Sequence, residues 1–376
     1  RVNAQGLVEN VQILSSNLVQ NGDFSEEGSE EVSNGSFSQE GSEEITNGDF
    51  SSDTGWTKSA SGVTISGGSA NFNSSTDAFV LQNALTVGKT YKATFSGTIT
   101  SGSFYVGDLN NLTNTYPSGT YINEVAYFTA VIGDTRFIIR KTGSGDFIGS
   151  IDNVSVREVG QDWTLIGTAT ITENQANIVT ASAVTGISQS NILTVGKSYK
   201  LSYNIVSNNN GGLKISGNEI PSVVGNNIYY FEASAASLEI LRNSGITDIS
   251  ITNISVKEVG QNWNLSGVDF SLGSVFFDNS IDNIFQNKSF TVGTKYRFSF
   301  VGSGNLAYRT GYAGADGVQK QITLPHTVDI IATSDTNRVQ TWGAVNNVQG
   351  TLTNISVIEI TDDTNLPRIS YENFSY

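Results

Sequence analysis

Apolar and polar positions alternate in short runs along most of the chain, and the clearest runs come in threes. LTVGKTYKATF begins at Leu85, LTVGKSYKLSY at Leu193 and FTVGTKYRFSF at Phe290. After each Val-Gly turn, Tyr91, Ala93 and Phe95 point one way and Thr90, Lys92 and Thr94 the other, and Tyr199, Leu201, Tyr203 and Tyr296, Phe298, Phe300 repeat the pattern. A period of two is that of a strand with one buried face, so the aromatic face is predicted to be the core face. A second run closes each repeat: IDNVSVREVGQDW at Ile151, ITNISVKEVGQNW at Ile251 and LTNISVIEI at Leu352. Here Val154 and Val156, Ile254 and Val256, and Ile355 and Val357 are predicted to face inward. Shorter alternating runs, such as Phe137 with Ile139 and Leu238 with Ile240, lie between Gly, Asn and Ser turns.

Asn153, Asn253 and Asn354 mark a period of 100 and then 101 residues, which is a domain length and not a solenoid turn. Many short strands at this spacing predict an all-β chain of three tandem antiparallel sandwiches. Their bounds are 46–160, 161–260 and 261–361. Trp163 and Trp263 follow their closing strands by only a few residues, too close for a floppy linker, so a stiff rod of modules is expected.

Upstream, residues 18–45 and the opening of the first module carry a shorter repeat: NGDFSEEGSEEVS, NGSFSQEGSEEIT, then NGDFSSDTGW, with Asn21, Asn34 and Asn47 spaced by 13. Only the third copy runs into a tryptophan, Trp56, and reads as the opening strand of the first module. Composition favours an acidic linker for the first two copies. The alternative is that each NGxF tetrad docks as a strand on the rod. Residues 1–17 and 362–376 share nothing with the modules, and both alternate like strands.

Composition limits the chemistry. Among 376 residues, Gly reaches 39, Pro only 4 and Cys none, so stability rests on packed apolar faces and strand ladders. The net charge of −15, from 20 basic and 35 acidic residues, opposes binding to a phosphate backbone, and nucleic acid is not an expected partner. No apolar run is long enough for a membrane helix. His326 is the single histidine, so neither a Ser/His pair nor a two-histidine metal site is expected; it reads as a surface or turn residue. The chain begins at Arg1 without any Met and reads as a piece of a longer or processed polypeptide. The acids form no recognisable catalytic pair.

NGDF, Trp56, TVGKTYK and IDNVSV together resemble the frame of jelly-roll carbohydrate-binding modules of the type appended to xylanases. The resemblance is complete only in the first module, the other two lacking an NGDF opening. With RVNAQGL before the modules and LPRISY after them, the arrangement is similar to bacteriophage tail-fibre and other virion surface proteins. That resemblance implies jelly-roll modules inserted between two short host-domain segments, a non-enzymatic role on the virion surface, other virion proteins and host-surface polysaccharide as partners, and a homotrimer. A capsid decoration protein, or the accessory modules of a secreted polysaccharide-degrading enzyme, are the alternative roles. It also implies stacking aromatics for glycans, for which Tyr308, Tyr312 and Trp342 are the leading candidates, followed by Tyr105, Tyr127 and Arg140, with Tyr229 and Tyr230 in the second module. A structural calcium in the first module would be held by Asp49 and Asp152, oxygen ligands suited to a hard cation. In the second and third modules Thr252 and Thr353 stand where Asp152 does.

Overall fold

The computed structural model describes residues 12–110, 114–131, 133, 135–278, 281–310, 320–334, 336–343 and 349–362. Three strands precede the modules: β1 (Gln12–Asn17), β2 (Glu27–Glu30) and β3 (Glu40–Glu43). The first module contains β4 (Thr57–Lys58), β5 (Val63–Ser66), β6 (Ser69–Ser74), β7 (Phe79–Asn83), β8 (Thr90–Ser101), β9 (Ser103–Asp108), β10 (Thr115–Tyr116), β11 (Gly119–Thr129), β12 (Arg136–Thr142) and β13 (Phe147–Val159). Its sheets run β11-β8-β13-β6-β5 and β10-β9-β12-β7-β4. From β6 onward the chain crosses between sheets at nearly every step, so that strands paired within a sheet are rarely consecutive. That wrapping of eight strands into two facing sheets is the jelly roll.

The second module repeats it with β14 (Thr164–Ile166), β15 (Thr170–Thr172), β16 (Gln175–Thr180), β17 (Gly186–Gln189), β18 (Ser198–Asn210), β19 (Leu213–Ile215), β20 (Asn218–Ile220), β21 (Gly225–Glu232), β22 (Leu238–Arg242) and β23 (Thr247–Val259). Its sheets are β15-β16-β23-β18-β21 and β14-β17-β22-β19-β20. The third contains β24 (Asn264–Ser266), β25 (Asp269–Ser271), β26 (Ser274–Phe277), β27 (Asn283–Asn287), β28 (Lys295–Thr310), β29 (Lys320–Thr323), β30 (His326–Ile331), β31 (Arg338–Gly343) and β32 (Gly350–Asp362). Here the two sheets are joined, because β28 is one strand where the other modules have two, pairing with β32 and then with β31. Its corner is at Gly302 and Gly304, where φ is positive and a Cβ would meet the carbonyls of Thr351 and Gln349.

The predicted core faces are buried. Tyr91, Phe95, Tyr199, Tyr203, Tyr296 and Phe300 lie in three separate clusters with Val156, Val256 and Val357. Each tyrosine of the TVG strand also explains its hydroxyl: Tyr91, Tyr199 and Tyr296 accept the amide N–H of Thr86, Thr194 and Thr291, tying down the turn before their own strand. His326 is a strand residue of β30, not a turn residue, half-buried opposite Phe300.

Residues 18–45 depart most from the composition-based expectation. They are not a linker. β2 pairs with β23 of the second module and β3 with β13 of the first, and β1, at the end of the expected host segment 1–17, pairs with β32 and so belongs to the third module. Phe24, Phe37 and Phe50 are buried in the third, second and first cores respectively. The opening motif that the second and third modules lack locally is thus supplied from upstream, in reverse order. The junctions are also shared, since Val159 of the first closing strand lies in the second core and Val259 of the second in the third. Residues 1–11 and 363–376, which hold most of the two expected host segments, lie outside the described residues.

Candidate functional site

Each NGxF tetrad enters its module as a pin held by four kinds of contact. The residue before the asparagine exchanges two hydrogen bonds with a glutamine side chain: Gln82 with Thr46, Gln189 with Ser33 and Gln286 with Gln20. The asparagine carbonyl accepts an indole N–H, at 2.9 Å from Trp56 to Asn47, 3.0 Å from Trp163 to Asn34 and 2.8 Å from Trp263 to Asn21. The glycine lies flat against the closing strand, where the carbonyls of Gly48, Gly35 and Gly22 accept the N–H of Val154, Ile254 and Ile355. The phenylalanine packs on the same tryptophan, with centroids 5.0 Å apart for Phe50 on Trp56, 5.3 Å for Phe37 on Trp163 and 5.5 Å for Phe24 on Trp263.

The asparagines and phenylalanines all have positive φ, between 47° and 57°, which folds the tetrad into a tight turn. Asn21 and Asn34 are buried, and their amides are used up, donating to the Gln261 and Gln161 carbonyls and accepting from Glu26 and Gln39. A carboxylate in place of Gln189 would leave the Ser33 carbonyl facing an acceptor. Gln189→Glu is therefore expected to cost about 1–3 kcal/mol, read as a lower urea midpoint for the second module.

The acidic residues that suggest a linker by composition are ligands of the closing strands. Glu43 accepts the Ser155 hydroxyl and the Val156 N–H, and Glu30 accepts the Ser255 hydroxyl and the Val256 N–H. Asn17, 13 residues before Glu30, takes the Val357 N–H in the third module. Glu27 sits between Lys200 and Lys257, at 2.5 and 3.3 Å, and Glu40 is 2.7 Å from Lys92. The hydrogen bond from Lys200, reinforced by Lys257, holds the Glu27 carboxyl below the usual carboxylate range against the opposing effect of burial. A lowered native pKa stabilises the fold fully above the ordinary carboxylate pKa, and that contribution is lost as pH falls through the lowered value. Glu27→Gln is accordingly expected to weaken the acid dependence of stability, measured as urea midpoints across an acidic pH series.

The glycan candidates are placed very differently from one another. Tyr308 is core, 3% exposed, its ring 5.4 Å from Phe300 and 5.9 Å from His326. Tyr105 is fully buried and donates to the Asp108 carbonyl at 2.6 Å, and burial pushes its phenol pKa up. Both therefore serve packing, contrary to a stacking role on the polar face. Tyr312 lies outside the described residues. Trp342 is half-buried on β31, with the Arg309 guanidinium 5.6 Å from its ring centroid. Tyr127 packs against the core of the neighbouring module, and Tyr230 does the same one junction further on. Arg140 forms a two-bond ion pair with Asp77 at 2.9 and 3.0 Å. It borders a cleft of about 580 Å³ with Asp77, Lys141 and Ser144. A second cleft, of about 550 Å³, lies between the second and third modules and is lined by Ile228, Tyr229, Tyr230, Phe231, Leu265 and Phe270.

Asp49 accepts the N–H of Ser51 and Asp152 accepts the side-chain amide of Asn153. The first is the contact of a turn-capping carboxylate; Asp152 lies within strand β13 and, among the described residues, its carboxylate meets only the side chain beside it. Among the described residues no three carboxylate, imidazole or thiol groups gather into a metal-binding cluster. No helix among the described residues is long and apolar enough to cross a membrane.

The pin was only half legible in advance. NGxF and the tryptophans are visible as repeats, but their pairing across more than a hundred residues is not. The signals that could have found it are the three glutamines at equivalent places before the TVG turn and the extension of the 13-residue period back to Asn17.

No family model matches the chain, and no curated protein does. Solved structures similar to it include one from Sulfolobus turreted icosahedral virus, at 17% identity over 81% of this chain and 89% of that one, with a TM-score of 0.21. A tandem CBM22 pair from Paenibacillus barcinonensis Xyn10C shares 10% identity over 85% and 98% of the two chains, TM-score 0.22. A cycloalternan-forming enzyme from Listeria monocytogenes shares 14% over 78% of this chain and 31% of that one, TM-score 0.20. At such scores the likenesses carry no functional weight, and the fold rests on the strand order: the chain is an all-β protein of three jelly-roll modules.

Proposed function

We propose that the chain is a non-enzymatic structural protein of a virion surface, in which three jelly-roll modules act as one stiff spacer. The observation that supports stiffness is the upstream segment, which crosses both module junctions and is pinned into every core. A spacer needs fixed geometry between modules, and an upstream segment that adds one short strand to each closing strand supplies it. The virion setting rests on the resemblance of the flanking motifs joined to the module frame. Immunogold labelling of intact particles tests it: signal on tail or capsid supports the reading, and a soluble protein absent from particles overturns it. In the same preparation, chelation with EDTA is expected to leave the melting temperature unchanged, because Asp49 and Asp152 are held by their neighbours.

A second reading, glycan attachment, is favoured by one place. The cleft between the second and third modules presents the half-buried edges of Tyr229, Tyr230 and Phe231 beside Glu232 and Asp269, an aromatic wall with acceptors suited to sugar hydroxyls. Glycan-array binding by the intact chain that is lost in Tyr229→Ala supports attachment. Absence of any array signal leaves the spacer alone.

A further inference from the structure

The two ends of the described chain meet. β1 runs antiparallel to β32 with Gln12 opposite Asp362 and Leu14 opposite Ile360. From there the upstream segment passes the third module, then Glu27 opposite Val259 at the next junction, then Glu40 opposite Val159 at the last, before the first module begins. The modules then follow in the opposite direction along the same axis. In the first two modules the far end of the closing strand, Val159 or Val259, is buried in the next module. The corresponding residue of β32 is Ile360, beside which β1 starts, so residues 12 and 362 lie at the end of the third module that faces away from the second.

We infer that the three modules form a pendant finger, with both chain connections at its base on the third module and the first module as its free end. The free end carries the loops at 75–78 and 143–146, which flank the paired residues Ser74 and Phe147. This geometry holds for whatever the protein is attached to and does not depend on a virion setting. It differs from an in-line spacer in what tension does. Load applied between residues 12 and 362 does not pass through the first and second modules; it peels β1 from β32, then releases the third module, then the second, and the first last. Strands opened one hydrogen-bonded pair at a time yield in sequence, and each pin must leave before the next is loaded.

Force spectroscopy on the full-length chain, held by its two ends, tests this. The absence of cysteine lets a single introduced pair act as a staple. With Glu30→Cys and Lys257→Cys oxidised, only residues 12–30 and 257–362 can be freed among those described. The total extension is then expected to fall to about a third of its value in reducing buffer, at roughly 3.5 Å per freed residue. With Glu43→Cys and Arg157→Cys oxidised, the early releases are expected to be unchanged and only the last event lost. An in-line arrangement would instead release the first module as readily as the third, and a first event abolished by the second staple overturns the inference. So does failure of either staple to form in the folded chain, because the facing residues would then not be paired.

Discussion

Phe37→Ala is expected to unfold the second module and spare the first, although residue 37 lies upstream of both. The ring is 1% exposed and packs at a tilt against Trp163, whose indole is bonded to Asn34 across 129 residues of sequence. Removing a buried phenylalanine costs about 3–5 kcal/mol, a large share of the stability of a domain this size. Hydrogen exchange read peptide by peptide should show protection lost across β16, β18 and β23 and retained in β8 and β12. Phe24→Ala should move the loss to the third module and Phe50→Ala to the first. If residues 18–45 were a solvated linker, neither Phe24→Ala nor Phe37→Ala would change any module.

Gly35→Ala isolates the second large effect, which is steric. A Cβ on Gly35 would sit 1.9 Å from the Ile254 carbonyl oxygen, and backbone cannot yield as a flexible side chain does. Gly48 meets the Val154 carbonyl at the same 1.9 Å, and Gly22 meets that of Ile355 at 2.2 Å. Overpacking costs about 1–3 kcal/mol when the surroundings can shift; here the alternative is expulsion of the tetrad, with loss of the Phe37 contact as well. The expected result is a second-module urea midpoint as low as that of Phe37→Ala, together with rapid proteolysis between β2 and β3. Slow proteolysis with an unchanged midpoint would show that the closing strand can move aside.

The fold was legible where local pattern sets it. Alternation at Tyr91, Ala93 and Phe95 and at Val154 and Val156 identifies core faces because a half-buried strand cannot do otherwise. The upstream repeat was harder to read because its acidic residues carry two meanings. Glu30 and Glu43 look like solvated charge in a list of residues, yet each caps the closing strand of a module far along the chain. Composition has no term for a partner that far away. The sugar-binding candidates suffered from the reverse ambiguity. Tyr308 is followed by Arg309 and Tyr105 stands between Phe104 and Val106, but both lie on central strands, where the sandwich buries them whatever flanks them.

The reversed order of the pins has a consequence for biosynthesis. Residues 21–24 are made first, and their acceptor Trp263 is made 242 residues later than Asn21. At ribosomal speeds of roughly 5–20 residues per second, Phe24 waits on the order of ten seconds or more without its core. Through that interval the first module can close around Phe50 at once, the second after a delay and the third last. The glutamates between the tetrads then act as gatekeepers for a nascent chain, keeping its exposed phenylalanines soluble until each acceptor emerges.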